Sequence, residues 1–452
     1  MPTQEEGREQ RSASADVANI MSRKNEPVEI DGKLMPMKDD FFDAVFKAEL
    51  MRVECSVDRF VHGINVSHRS CRSFRELDRH SMYYVRARRA MLGTMRDQPM
   101  DDPLHDFGQL SQAEAEAIVM SSVIFRLYNR METFVRWQLM RKYVKQPDTA
   151  NVGQWRAALS KLTPSDIIEI KRAKRKLEDG VPAGATIAAA VPPRAVRGFL
   201  AFAEAMFGAK GVVEGERGRA IKIFTGEHQV QGRANTGAAV EQISADLKKL
   251  TTDLRNATGA KAAMECLKPY PCCGPFFQYQ IFLDLMEPHH SIFRGLPNEE
   301  QIEKDRFEFC QFGPGSRRGA NLLSTGHGDK EMSQEDALRM AKLFQGYATY
   351  TADKRTDGWH DATARLCPVP NGVRPHFTSG AAVGWDLQAI ENVFCGICHK
   401  KTPQQIIEDA RGSTPWVPNP CTEMEYRELY GEPLAHKEVH EALTRAKRAK
   451  RA

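Results

Sequence analysis

Four short stretches carry residue types whose spacing could do chemistry. The first is Phe125–Trp137, FRLYNRMETFVRW. Placed on a helix at about 100° per residue, Ile124, Leu127, Tyr128, Met131, Phe134 and Val135 share one side. Arg126, Asn129, Glu132, Thr133 and Arg136 share the other, with Phe125 and Trp137 among them. Two aromatic rings beside an amide, a carboxylate and guanidinium groups suit a pocket for a flat, polar ring. The same spacing also fits a surface helix on which Glu132 and Arg136 form a solvated i,i+4 pair.

The second stretch is Leu267–Met286, where a turn rich in Pro and Gly leads straight into an apolar helix. This resembles a helix–hairpin–helix element, whose turn N–H groups face a phosphate. It departs from the usual hairpin in having one glycine, Gly274, ahead of Pro275, with Cys272 and Cys273 in the middle of the turn. Gln280 and Asp284 stand four apart in an otherwise apolar helix, so Asp284 either caps a neighbouring segment or serves a site. The third stretch, Phe312–Gly319, makes a tight turn at Gly313, Pro314 and Gly315. Ser316, Arg317 and Arg318 would then start a helix whose N–H groups and guanidinium forks suit phosphate or pyrophosphate. It lacks the Lys-Ser/Thr ending of a P-loop, and a basic surface turn is the alternative. The fourth, Ala389–Lys401, contains Cys395-x-x-Cys398-His399, the spelling of a c-type haem site, in a chain with no export signal to match it. Zinc would need further ligands, and Cys367 and Cys421 stand at irregular spacing. The two cysteines therefore read as core residues, and Glu391, near a helix start, as a candidate partner for Arg317 and Arg318. No metal or cofactor is assigned. His289-His290 reads as a loop, and Lys171–Lys176 as a solvated helix face able to touch a DNA backbone.

The elements that would position these stretches are mainly helical. Phe41, Phe42, Val45, Phe46 and Leu50 recur at helical spacing within 39–95, and Ser111 with Glu114 forms a capping box for a helix starting near Gln112 and running to about Val144, with a break near Ser121. Further helices are expected at Pro193–Phe207, Ala238–Asn256, Pro275–Met286, Gln334–Gln345 and Asp386–His399. Val240, Ile243, Leu247, Leu250 and Leu254 line one stripe. Only Val212–Thr236 suggests strand. Residues 1–33 read as disordered, 34–405 as a mainly α helical domain with an insertion at about 145–238, and 406–452 as a C-terminal extension with a basic tail. The chain has 452 residues with 41% hydrophobic and 27% charged, which excludes a wholly disordered chain or a collagen-like repeat. No apolar run is long enough for a membrane span. Of 64 basic residues, Arg445, Lys447, Arg448, Lys450 and Arg451 crowd the end; the other 59 match 59 acids, so the body must bind nucleic acid through local patches. Ten cysteines without a framework spacing, and no secretory signal, read as reduced thiols in a cytosol or nucleus.

Taken in order, these segments resemble the helical, DNA-glycosylase-related family of thymine hypermodification enzymes. Its members are labelled α-glutamyl/putrescinyl thymine pyrophosphorylases, or the helical domain of 5-hydroxymethyluracil DNA kinases. The resemblance rests on Phe125, Arg126, Asn129, Arg130, Glu132 and Thr133; on Gly274, Pro275, Phe276, Tyr279, Gln280, Asp284 and Leu285; on Gly313, Pro314, Gly315, Arg318 and Gly319; and on Glu391 with Cys395. Asp101–Leu104 fits the loop before the first motif. It spans roughly 40–150 and 240–405. The fourth motif departs, with Gly396, Ile397 and Cys398 where the family more often has an acid and an aromatic. With no P-loop, the chain is not expected to be a kinase itself.

The resemblance implies a reaction on DNA, with a separate 5-hydroxymethyluracil DNA kinase as functional partner. A thymine-like base carrying CH₂–O–pyrophosphate leaves the duplex stack. Pyrophosphate departs, and an amine from an amino acid or polyamine takes its place. In that scheme Arg317, Arg318 and Arg130 neutralise pyrophosphate, Glu132 takes the amine proton, Asn129 reads a base edge, and Phe125 or Trp137 stacks on the base. Such a protein would work in a host cytoplasm if from a phage, or in a nucleus if eukaryotic. Two other readings stand beside it: a glycosylase or lyase acting on a modified pyrimidine, and a non-catalytic module binding modified DNA. In the former, Lys268 precedes the turn, but Gln311-Phe312-Gly313 occupies the place expected for an Asp.

Overall fold

The computed structural model describes residues 27–45, 47–48, 79–98, 106–128, 131–161, 190–207, 233–287, 290–354 and 387–411. The described residues are mainly helical, as the periodicity requires. They fall into two compact units, one from Met1–Asp78 with Arg306–Ala452 and one from Arg79–Asp305, where the sequence suggested a single body over 34–405. Among the described residues, no helix is long and apolar enough to cross a membrane.

The chain enters with a two-stranded antiparallel hairpin, β1 (Val28–Ile30) and β2 (Lys33–Met35), in the register Val28 to Met35 and Ile30 to Lys33. This corrects the expectation of disorder through residue 33. The signal was Asp31-Gly32: both residues take positive φ, 51° and 72°, as a two-residue hairpin turn matching strand twist requires.

The Arg79–Asp305 unit contains α1 (Arg79–Met95), α2 (Gln112–Tyr128), α3 (Met131–Met140), α4 (Val152–Leu159), α5 (Val196–Phe207), α6 (Arg233–Arg255), α7 (Ala260–Leu267), α8 (Pro275–Leu285) and most of α9 (Glu299–Glu308). Helix α2 is almost wholly buried and packs against α6 and α8. Its start is the expected capping box: Ser111 N–H donates to Glu114 Oε2 at 2.8 Å and Glu114 N–H to Ser111 Oγ at 3.3 Å. Arg96 also grips Glu114, which pulls its carboxyl down to about 2. All five residues of the α6 stripe are buried. The helix continues unbroken through Ser121 to Tyr128. Residues assigned to an insertion join the same core. Phe199 of α5 meets Tyr128, Phe134 and Trp137 at centroid distances of 5.0, 5.6 and 5.5 Å, and Trp155 of α4 meets Phe202 at 5.2 Å. Burying rings of this size contributes about 1.5–3 kcal/mol each.

In the other unit, α10 (Pro314–Thr325), α11 (Gln334–Lys354) and α12 (Leu387–Ile397) pack on one another, and α13 (Pro403–Arg411) follows. Phe42, Phe344, Phe312 and Phe394 form a chain of ring contacts, with Phe42–Phe344 at 5.1 Å and Phe344–Phe394 at 5.9 Å. Lys33 joins the hairpin to α11 through an ion pair with Asp336 at 2.5 Å. Helix α13 straddles residue 406, and Ile406 is wholly buried, so the fold continues past the expected start of the extension. The expected loop Asp101–Leu104, the basic helix at 166–178, the strand-like region before Arg233 and the basic tail lie outside the described residues.

Candidate functional site

The first two motifs meet in the Arg79–Asp305 unit. Asp284 is wholly buried on α8, and Arg126 of α2, 13% exposed, reaches it with both arms of a fork. Arg126 Nε lies 2.7 Å from Asp284 Oδ2, and Nη2 lies 2.8 Å from Oδ1. A carboxylate in an apolar helix interior needs such a partner, because leaving it alone costs several kcal/mol. The ion pair thus answers the question that Asp284 posed in the sequence: its partner is the arginine of the first motif.

A residue absent from the sequence candidates completes the cluster. Arg88 of α1 has no exposed surface. Its Nη1 donates to the backbone carbonyl of Asp284, and its guanidinium lies 4.0 Å above the Tyr84 ring, a cation–π contact. Tyr84 in turn donates its hydroxyl to Ser122 Oγ at 2.8 Å. Burial pushes the Arg88 pKa down, with Tyr84 and Glu287 opposing. The signal was faint. Arg86, Arg88 and Arg89 sit in a helix that reads as basic surface, and only the i,i+4 spacing of Tyr84 and Arg88 hinted otherwise.

Two expected base-stacking residues are corrected. Phe125 is 1% exposed and lies face to face with Tyr84, centroids 4.1 Å apart. Trp137 is equally buried, edge-on to Phe199. Both rings are core. The wheel failed because the side it left for a site is also packed: Tyr84 covers Phe125, and Phe199 covers Trp137. Thr133 is buried, and Arg136 is mostly inside, where burial lowers its pKa. Asn129 and Arg130 lie outside the described residues, as does the side chain of Glu132, whose backbone belongs to α3.

Between α7 and α8 the turn 268–274 leaves Gly274 and Pro275 exposed. Gly274 caps α8 and Pro275 takes its first position, where a missing N–H is harmless. Gly274 has an ordinary φ of −66°, and nothing lies within 4 Å of where a Cβ would stand. Nothing in the described fold therefore demands glycine there. Cys272 holds φ at 63°, and the Gln278 side chain donates to the Cys273 carbonyl at 2.6 Å, closing the turn. Burial pushes the Cys273 thiol up to about 12. Gln280 is buried one helical turn before Asp284. Lys268 stays exposed and pairs with Glu265 at 2.9 Å.

In the other unit, the third and fourth motifs prove to be two sides of one helix crossing. Gly313 caps α10 and Pro314 follows at its first position. A Cβ on Gly319 would lie 2.0 Å from the Phe394 carbonyl oxygen, and one on Gly315 would lie 3.1 Å from Cys395 Sγ. The two glycines, four apart, are what lets α12 press against α10. Glu391, one helical turn before Cys395, buries its carboxyl at the start of α10, hydrogen-bonded by Ser316 and by the Gly313 N–H. Burial still dominates and raises it to about 7.

Glu391 is therefore not the partner of the arginines. That role belongs to Glu331, which the sequence reading missed: Arg317 Nη1 and Arg318 Nη2 approach it at 3.2 and 3.3 Å. Arg317 also donates through Nε to the Met332 carbonyl at 2.7 Å, while Met332 N–H returns a bond to the Arg317 carbonyl. In this structure both guanidinium groups are engaged by a carboxylate of the chain itself. Cys398 is buried as expected; Cys395 is exposed.

Residues 210–369 match the family described as 5-hmdU DNA kinase, helical domain. No curated protein matches the chain, and no solved structure does. The matched stretch contains the Gly274–Leu285 and Gly313–Gly319 motifs, and it begins inside the segment that the sequence suggested was an insertion. Through residues 210–369 the chain is similar to the 5-hmdU DNA kinase helical domain.

Proposed function

We propose that this protein takes part in thymine hypermodification, replacing the pyrophosphate on a pyrophosphorylated 5-hydroxymethyluracil in DNA with an amine. The observation that carries the reading is the Arg126–Asp284 pair: it ties the first motif to the second, and the second lies within the family match. Motifs far apart in sequence that converge on one buried pair act as a unit.

In this reaction the amine nitrogen attacks the methylene carbon. The C–O bond breaks, and its electron pair leaves with pyrophosphate. The proton lost by the amine goes to Glu132. Arg130 takes the departing charge; in the other unit, Arg317 and Arg318 are able to bind a phosphate group by exchanging Glu331 for it. Both arginines are about a third exposed, so the exchange costs little. Asn129 reads the flipped base. The exposed start of α8 at Gly274 and Pro275 meets a DNA phosphate in the manner of a helix–hairpin–helix element. Phe125 and Trp137 have no part, being core.

The test is to incubate the full chain with DNA carrying pyrophosphorylated 5-hydroxymethyluracil and a mixture of amines. The DNA is then digested to nucleosides for mass spectrometry. An amine-linked nucleoside with released pyrophosphate is the expected product. An abasic site would replace this reading with base excision, and unchanged DNA that is still bound would replace it with a binding module.

A further inference from the structure

Arg126 and Arg88 flank the same residue but use it differently. Arg126 presents the parallel N–H pair of Nε and Nη2 to the Asp284 carboxylate. Arg88 spends Nη1 on the Asp284 carbonyl. Its own Nε and Nη2 have no hydrogen-bond partner among the described residues, although no part of the side chain meets solvent. That edge is the one whose geometry matches two oxygens of an oxyanion. A buried guanidinium with an unused fork is costly, and the cost falls once an acceptor arrives.

Charge narrows the acceptor. Arg88, Arg126 and Asp284 sum to a single positive charge in the interior. Glu287 contributes only a half-exposed field, without a hydrogen bond to Arg88. One negative charge neutralises the cluster, whereas a phosphate dianion would overshoot and carry a larger desolvation penalty. The equivalent edge of Arg126 already holds a carboxylate.

We propose that the Nε/Nη2 edge of Arg88, whose guanidinium lies over the Tyr84 ring, is the anchor of a binding site for a single carboxylate group. Resting on the transfer reading above, this assigns the amine co-substrate to the class that carries a carboxylate, as an amino acid does. A polyamine brings only positive charge to a cluster that is already positive.

The experiment uses the full chain without DNA, so its outcome is independent of whether the transfer reaction occurs. Acetate and glutamate are titrated against phosphate, pyrophosphate and putrescine at constant ionic strength, by calorimetry and by thermal shift. Saturable binding of the carboxylates alone is expected. Arg88→Lys keeps the charge but loses the fork and should weaken that binding by about tenfold or more. Because the substitution also removes the buried bond to the Asp284 carbonyl, the wild-type protein is also followed through the ¹⁵Nε–¹Hε resonance of Arg88, which should move with acetate and not with phosphate. No carboxylate binding, equal binding of phosphate, an Arg88→Lys protein that binds as well as wild type, or an unmoved resonance would each overturn the proposal. If carboxylates bind but no amine adduct ever forms on DNA, the site stands and the transfer reading falls.

Discussion

Gly319→Ala sets two effects of opposite sign against each other. In an isolated helix alanine is favoured over glycine by about 1 kcal/mol. Here the added methyl would stand 2.0 Å from the Phe394 carbonyl oxygen, while ordinary contact begins at 3.4 Å, so α12 must retreat by about 1.4 Å. The obstacle is backbone, which cannot swing aside as a side chain can. Retreat loosens the buried Leu322, Leu323, Ile390 and Phe394, and overpacking of this kind costs about 1–3 kcal/mol. With the contact so short, the upper part of that range applies, and the net loss is about 2 kcal/mol. For a unit of this size that lowers the melting temperature by about 4–8 °C. Gly396→Ala on α12 is the matched control: nothing lies within 4 Å of its Cβ position, so helix preference should leave the protein as stable or slightly more stable. Both are read by differential scanning calorimetry. A Gly319→Ala protein melting at or above wild type, or a Gly396→Ala protein falling equally, would refute the account of the motif glycines as a helix-crossing device.

Asp284→Ala leaves Arg126 without its carboxylate and should cost about 3–5 kcal/mol in urea unfolding, whereas pairing Asp284→Leu with Arg126→Met should recover much of the loss. Glu391, raised to about 7 by burial, binds its proton more tightly folded than unfolded. Its contribution is therefore fully present below pH 4.5 and is lost as pH rises toward 7. Glu391→Gln should flatten that part of the stability profile and gain on wild type at pH 8. Glu114, held down to about 2 by Arg96, has the opposite sign: its stabilisation is present above pH 4.5 and is lost as pH falls toward 2, so Glu114→Gln should blunt acid unfolding. Glu331→Ala should change stability by less than about 1 kcal/mol, since the pairs it breaks are partly exposed. The same change should tighten DNA binding, measured by fluorescence anisotropy, by freeing two positive charges; unaltered binding would remove Arg317 and Arg318 from the contact.

The sequence alone determined what depends on near neighbours. Ser111 and Glu114 start α2 because their bonds span three residues. The α6 stripe is buried as spaced, and Gly-Pro at 274–275 and 313–314 opens α8 and α10. Each is a property of one element, visible in its own residues. The Asp31-Gly32 hairpin was equally legible, and was hidden only by the polar composition around it. The tertiary structure decided everything that depends on phase or on a distant partner. Phe125 and Trp137 turned from candidate stacking surfaces into core because Tyr84 and Phe199, from helices distant in sequence, pack over them. Glu391 went to the start of α10 and left Arg317 and Arg318 to Glu331, because packing places carboxylates and spacing does not. Arg88 shows the limit most plainly. An arginine in a basic helix is a surface residue by every local rule, and only the packing of α1 with α2 and α8 shuts it away from water beside Asp284.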